Sequence, residues 1–548
     1  MKTVVAIVIA YAIFGLVVLV PEAIYSGDIG VKFVQARALA ANRFVSLDLP
    51  YPGGFLDPQR EFFPIREPFV MRVGPTLQTI FSPMSAVLQG GMAAVAGLRG
   101  MVVSSLLAAA VILFATRRMA PADMQLPAVL ALGLGSPLWF YAVTGWEHAP
   151  AVAFSTAGFA VAMLGERRGS PLLAALLVAA GATLRDEVIL LLPGLFLVTW
   201  LRSRTLHSLG LALVGVVIPI TAGAFVEVVV FGRPLAAHLR HAVHVLQSAA
   251  HVASGPNPEL PALAPFTLRE RYETVVQYWL LGYGRDGWIV VYLCGLTAAL
   301  LARWKLRTAV PLLVWFAAVV ALALADTWEV VTAPKFLAGV QRVAPYLCFS
   351  VLPGPLMGKR TGWTHWAIGL TALAFLVLAF AGVDTTGGKS LGPRLLLPLF
   401  PLLTVTAIAS IAAYMRSEAV WERAIGRAGA LMVALAIVSH VFGTARAYEQ
   451  RNRIDAFPIL TAKDSSARVV IADEEFTAQL LLPLYYRKIV FLADTPEQGS
   501  RLAANLIDGK VAEVLLVSRS LTPAIHLAPL RLQSVMRSGR FNIQRWSR

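Results

Sequence analysis

"SGDIGVKFVQARAL", Ser26–Leu39, follows the first long apolar run of the chain, and its reading decides the fold. The run from Thr3 to Val20, preceded by Lys2, is nearly as long as the roughly 20 residues that span a bilayer. Its exit, "PEAIYSGD", lacks a small-x-small cleavage site and many apolar runs follow, so it reads as a first transmembrane helix, not a removed leader. Beyond it, Ile29, Phe33, Val34 and Ala38 recur at helical spacing with Lys32, Arg37 and Arg43 elsewhere. That pattern predicts an amphipathic helix lying in the membrane interface. Asp28 stands where bilayer meets water, as a helix cap, as a base, or as both.

The rest of the composition agrees with a membrane setting. Of 548 residues, 57% are hydrophobic and 14% charged, and the mean hydropathy is +0.69, which is the profile of a polytopic membrane protein. A net charge of +16 would point to nucleic acid in a soluble chain. Here the excess Lys and Arg falls in short loops between apolar runs, where it sets topology, and no nucleic-acid partner is expected. Cys294 and Cys348 both lie inside apolar runs, so neither is placed for a disulfide.

Six basic clusters punctuate the apolar runs: Arg117/Arg118, Arg167/Arg168, Arg202/Arg204, Arg303/Lys305/Arg307, Lys359/Arg360 and Arg416/Arg423/Arg427. With all six cytoplasmic and the N-terminus inside, the alternation closes at about thirteen transmembrane helices in the cell (cytoplasmic) membrane and leaves the C-terminus outside. The outer face then holds a long first loop at 22–80, the "GWEHAP" corner, a loop at 232–287 and "DTTGGKSLGPR". Two short runs, 171–183 and 187–201, flank "LRDE" as a helix pair whose turn also lies outside. After "IGVKFVQARALAANRF" the first loop turns rich in Pro, Gly and aromatics, an ordered but irregular segment.

Past the last apolar run, "ARVVIADEE", "RKIVFLAD" and "AEVLLVSRS" read as buried strands with helices "FTAQLLLPLYY" and "QGSRLAANLI" between them. This predicts a small C-terminal α/β domain, 451–548, with parallel pairing, after a transmembrane domain over 1–450. No glycine-rich phosphate loop occurs in it, and it is assigned no chemistry.

Ionisable residues outside the basic clusters gather on the outer face. Lys32, one turn after Asp28, would hold that carboxylate ionised or meet a phosphate. Glu147 and His148 in "WEHAP" read either as interfacial polar residues or as a second acid with its neighbour, the acid able to bind a divalent metal or a sugar hydroxyl. Arg185, Asp186 and Glu187 stand in succession between two apolar runs, costly unless solvated or paired, and suited to holding and orienting an anion. The histidines of "RPLAAHLRHAVHVLQSAAH" lack a local Cys or carboxylate to complete a zinc set, which favours a basic surface helix. Arg66, Arg72, Arg285, Arg342 and Arg394 fall near outer helix ends, where a converging subset would suit a lipid phosphate.

The order of these pieces resembles the class C glycosyltransferases that use polyprenyl-phosphate sugars, a family that includes protein O-mannosyltransferases and the aminoarabinose transferase of lipid A. The resemblance rests on "SGDIGVKFVQARAL", "RVGPTLQTIFSPMSAVL", "TLRDEVILLLPGL" and "GGKSLGPRLLLPLFPLL", and its layout covers roughly residues 1–450. It implies inverting transfer of a sugar from a lipid-phosphate carrier to an acceptor hydroxyl of a lipid, glycan or protein, at the outer face. By this resemblance Asp28 is the general base, Arg394 meets the donor phosphate with Lys389 beside it, and Arg72 and Arg185 match more loosely. Many relatives carry two adjacent acids in the first loop, whereas Ile29 follows Asp28 here. Glu147 or Glu187 would then supply the second acid, and a divalent metal ion is left open as a cofactor. A transporter or flippase for a lipid-linked or anionic substrate is the main alternative, predicting mid-membrane charges in two matching halves. A silent scaffold presenting the C-terminal domain is the third.

Overall fold

A computed structural model describes residues 1–20, 22–233, 267–282, 310–333, 338–351, 359–382, 391–520, 522–538 and 540–548, together with 295 and 297. The loop histidines at 238–251, Arg285, Lys389, Cys294 and the basic cluster at 303–307 lie outside these residues. The chain runs from α1 (Lys2–Ile13) through α2 (Gly27–Ala41), the hairpin β1 (Val70–Val73) and β2 (Thr76–Thr79), and α3 (Pro83–Ala96) to α4 (Leu98–Met119). Next come α5 (Gln125–Leu134), α6 (Leu138–Thr144), α7 (His148–Leu164), α8 (Ser170–Leu184), α9 (Leu192–Ser203) and α10 (Leu206–Phe225). Later helices cover Val310–Thr332, Lys359–Gly382, Phe400–Met415 and Val420–Tyr448.

Among the described residues 6 helices are long and apolar enough to cross a membrane, or up to 7 if the bent pair α5 and α6 is one span. The outward faces of several are apolar: Leu213, Val214, Val217 and Ile218 on α10, and Trp366, Leu370 and Leu373 on Lys359–Gly382, all stand exposed. Such stripes, uncovered by protein, suit lipid. The expected count of about thirteen helices draws partly on runs outside the described residues.

The C-terminal segment builds β3 (Val469–Ala472), β4 (Ile489–Leu492), β5 (Glu513–Ser518), β6 (Arg531–Ser538) and β7 (Phe541–Ser547), in the order β4-β3-β5-β7-β6. β3 pairs in parallel with β4 and β5, as the strand and helix alternation predicts. β7 joins β5 antiparallel and carries β6 at the edge, two strands the sequence reading did not find. Alternate residues face opposite sides of the sheet. Val470, Leu515 and Val517 point into the large core that runs through the helices, while Val469, Ile471 and Leu516 join Leu56 and Phe62 of the first loop. The first loop is therefore bound to the sheet, by Leu492 N–H donating to the Phe62 carbonyl at 3.0 Å and by Arg66 on Asp494.

The helix α2 is not an interfacial helix. Of its 15 residues 11 are buried. Val31, Val34 and Ala38 pack on Phe63, Ile65 and Leu482, Phe33 and Ala36 on Ala93 and Met101, and Leu39 on Ala86 and Phe231. Protein, not lipid, covers its apolar positions from Ile29 to Leu39, and a helical pattern alone cannot tell the two apart. Gly27 and Gly30 allow the contact: a Cβ on Gly30 would stand 2.6 Å from the Gln479 carbonyl oxygen, and one on Gly27 would overlap the Gln479 side chain.

Candidate active site

Four separate stretches of chain meet at one group of charges. α2 contributes Asp28 and Lys32, four residues apart and so on one face. Gly145, at φ +76, ends α6 in the left-handed region open chiefly to glycine and turns the chain so that Glu147 stands at the head of α7 with His148 as its first residue. Arg185 closes α8 in extended backbone, and Glu187 sits in the following 3-10 turn, Asp186–Leu191. Gly392, at φ +68, bends the chain into Pro393 and Arg394, which opens the 3-10 turn Arg394–Leu399.

Glu147 is the hub. Its Oε1 accepts from Lys32 Nζ at 2.6 Å and from Arg185 Nη1 at 3.0 Å. Arg185 Nε also donates to Glu187 Oε1 and Oε2, at 3.0 and 3.1 Å. His148 lies between the two acids, each ring nitrogen 4.0 Å from one of them. Arg394 Nη1 donates to Asp28 Oδ2 at 3.0 Å and its guanidinium lies 5.5 Å from the centre of the Trp146 ring. Tyr141 stacks on Trp146 at 5.5 Å, and Lys32 stands over Phe81 at 4.4 Å, so an aromatic wall backs the cations.

Burial grades across the group. Lys32, Glu147 and His148 are at most 3% exposed, whereas Asp28 and Arg394 are 19% and 16% exposed. Burial alone would raise the Glu147 carboxyl, but Lys32 and Arg185 outweigh it and hold the group at about 2, below its ordinary 4.5. Among the described residues Glu147 Oε2, both His148 nitrogens, Arg394 Nε and Trp146 Nε1 are buried without a hydrogen-bond partner. A buried polar atom left unmade is costly, so these atoms mark where a polar ligand would be welcomed.

The expectation that Asp28 caps its helix is corrected. Ser26, in extended backbone, precedes a helix that begins at Gly27, and no side-chain cap bond forms there. Asp28 lies inside the first turn, where a carboxylate still complements the helix dipole, and its charge goes to Arg394. Arg185, Glu187 and His148 join Glu147 and Lys32, while Arg72 stands exposed on β1 outside the group. Other arginines are engaged elsewhere: Arg342 pairs with Asp326 and Glu329, and Arg233 with Glu227. The sequence reading missed Trp146 and Tyr141 as wall residues, although the Trp lies within the motif that singled out its neighbours. No group of three His, Cys, Asp or Glu among the described residues is arranged to hold a metal ion. Glu147 Oε1, taken by two cations, is a poor ligand besides.

No family model and no curated protein matches the chain. Two solved structures are similar to it. ArnT from Cupriavidus metallidurans in the apo state is 13% identical with a TM-score of 0.47, over 99% of this chain and 97% of that one. The Archaeoglobus fulgidus oligosaccharyltransferase, tethered with an acceptor peptide containing the NVT sequon, is 10% identical with a TM-score of 0.40, over 93% and 68%.

Proposed function

We propose that the chain is an integral membrane glycosyltransferase that moves a sugar from a polyprenyl-phosphate carrier to an acceptor hydroxyl at the outer face, with inversion. One observation carries the reading: Asp28, the most open acid of the group, is held by Arg394 beside two further cations, Lys32 and Arg185, which share Glu147. A donor of this class has an apolar tail, a phosphate and a sugar, and the group offers cations for the phosphate and a carboxylate for the acceptor.

In the proposed reaction the acceptor oxygen attacks the anomeric carbon while Asp28 takes its proton. The carbon–oxygen bond to the phosphate breaks, and both of its electrons leave with the carrier phosphate. Arg394, with Arg185 and Lys32 behind it, stabilises the charge that develops there. A phosphate at Arg394 competes with Asp28 for the guanidinium, so donor binding frees the carboxylate for the acceptor. Glu147, fixed by Lys32 and Arg185, keeps both cations aligned and is assigned positioning rather than proton transfer. The steps draw on these side chains.

The charges sit at helix ends: Glu147 heads α7 and Arg185 closes α8. A transporter or flippase for a lipid-linked or anionic substrate is the alternative. The test is purified full-length protein in lipid with a panel of radiolabelled polyprenyl-phosphate sugars and candidate acceptors. Sugar leaving one carrier supports transfer. Intact donor crossing the vesicle wall, with no sugar ever released, sinks it.

A further inference from the structure

α7 begins at His148 in the charged group and ends at Leu164, about 25 Å away at 1.5 Å per residue. At that far end lies a cavity of about 790 Å³ lined by the C-terminal ends of α4, α7 and α9, the start of the Lys359–Gly382 helix and the middle of Phe400–Met415. Its polar lining is Arg118, Arg202, Thr364, His365 and Thr406. Arg202 also lines an adjoining cavity of about 460 Å³ with Arg167, Arg168, Glu166 and Thr199. Four guanidiniums thus face one carboxylate. His365, 3% exposed, makes no hydrogen bond of normal geometry from either ring nitrogen, and Thr199 Oγ1 is buried without a partner among the described residues. The remaining walls are apolar, among them Met119, Pro121, Leu201 and Val405, and the apolar surface continues outward through Leu164 and Trp366, which are exposed.

From this we infer a second binding site, for the phosphodiester headgroup of an anionic membrane phospholipid, at the helix ends remote from the candidate active site. Charge selects the anion: Arg118 and Arg202 meet the phosphate, Arg167 and Arg168 add attraction from the adjoining hollow, and His365 offers a further hydrogen bond. The apolar walls select an amphiphile over a soluble phosphate, because the acyl chains leave the cavity along exposed helix faces. The site joins the ends of α4, α7 and α9 to the two later helices, so its occupant ties five helices together. It stands apart from the transfer reading and holds or fails without it.

The test uses the full chain, delipidated in detergent, titrated with phosphatidylglycerol, phosphatidylcholine or inorganic phosphate while melting temperature and retained lipid are followed by scanning fluorimetry and native mass spectrometry. Phosphatidylglycerol is expected to raise the melting temperature in a concentration-dependent way and to be retained. Arg118→Gln is expected to weaken its binding about fivefold, and with Arg202→Gln about thirtyfold, at roughly one arginine's electrostatic worth each. Arg531→Gln, on an exposed edge strand, is expected to change nothing. Because Arg202 also donates to the Met163 carbonyl, the exposed Arg118 decides the matter if the double variant does not fold. Equal stabilisation by phosphatidylcholine, full saturation by inorganic phosphate, or unchanged affinity in Arg118→Gln overturns the proposal.

Discussion

Glu147 is the residue whose loss should be felt most broadly. Removing its charge takes from buried Lys32 its ion-pair partner while Arg185 keeps Glu187, and an unpaired buried charge costs about 3–5 kcal/mol. Glu147→Gln is therefore expected to lower the melting temperature and donor turnover together, read by fluorimetry and by radiolabel release. The sign with pH follows from a carboxyl held at about 2 against an ordinary 4.5. The pairing contributes in full above the higher value and is lost as pH falls through the window toward the lower one. Melting curves from pH 6 to pH 3 should slope downward for the native chain and be flatter for Glu147→Gln; equal slopes would remove the pairing from the account. Arg394→Lys keeps the charge but loses the planar fork, and one charge-assisted hydrogen bond is worth about 1.5–3 kcal/mol. The donor KM is expected to rise about tenfold or more with the fold intact. These contacts were hidden in the sequence for a simple reason: Lys32 and Glu147 are 115 positions apart, and Arg394 and Asp28 are 366 apart. Residue type and neighbourhood marked the candidates, but only the fold could show which of the scattered arginines converge.

Among the elements, the turns that aim the group are as decisive as the helices. Gly145 holds φ +76, and a Cβ there would sit 3.2 Å from that of Met101. Gly145→Ala is expected to cost about 1–2 kcal/mol for the left-handed backbone alone and, by shifting Glu147, to reduce turnover more than the melting shift explains. A loss of turnover matching the loss of folded protein would show the turn to be structural only. Strands were legible where they were buried on both faces, as β3 to β5 are, since continuous apolar runs declare themselves. β6, "RLQSVMRS", is polar and mostly exposed at a sheet edge, so its pairing depends on β7 rather than on any pattern of its own. α2 was legible as a helix and misplaced as to surroundings, because helical periodicity reports that a face is covered and not by what.

Across the whole molecule, the C-terminal sheet and the helical part are joined through the helix that bears Asp28. Leu482 is fully buried against Val31 and Val34 of α2, and Gln479 presses on Gly27 and Gly30. Leu482→Ala should open a cavity there at a cost of about 2–5 kcal/mol and depress turnover although no candidate catalytic residue lies in the sheet. Retained turnover in a folded Leu482→Ala would separate the sheet from the site. A chain of apolar helices with a C-terminal sheet was legible from composition and order of motifs. The clamp between them was not, since two glycines in a helix state only that something comes close.

Donor turnover by Asp28→Asn in lipid tests the central claim most directly. Asparagine fills the same space and its carbonyl still accepts from Arg394, but it cannot take a proton from the acceptor. The account predicts a folded variant that binds donor and releases its sugar about 10²- to 10⁴-fold more slowly than the native chain. Release at the native rate would contradict it, leaving Asp28 as no more than the partner of Arg394.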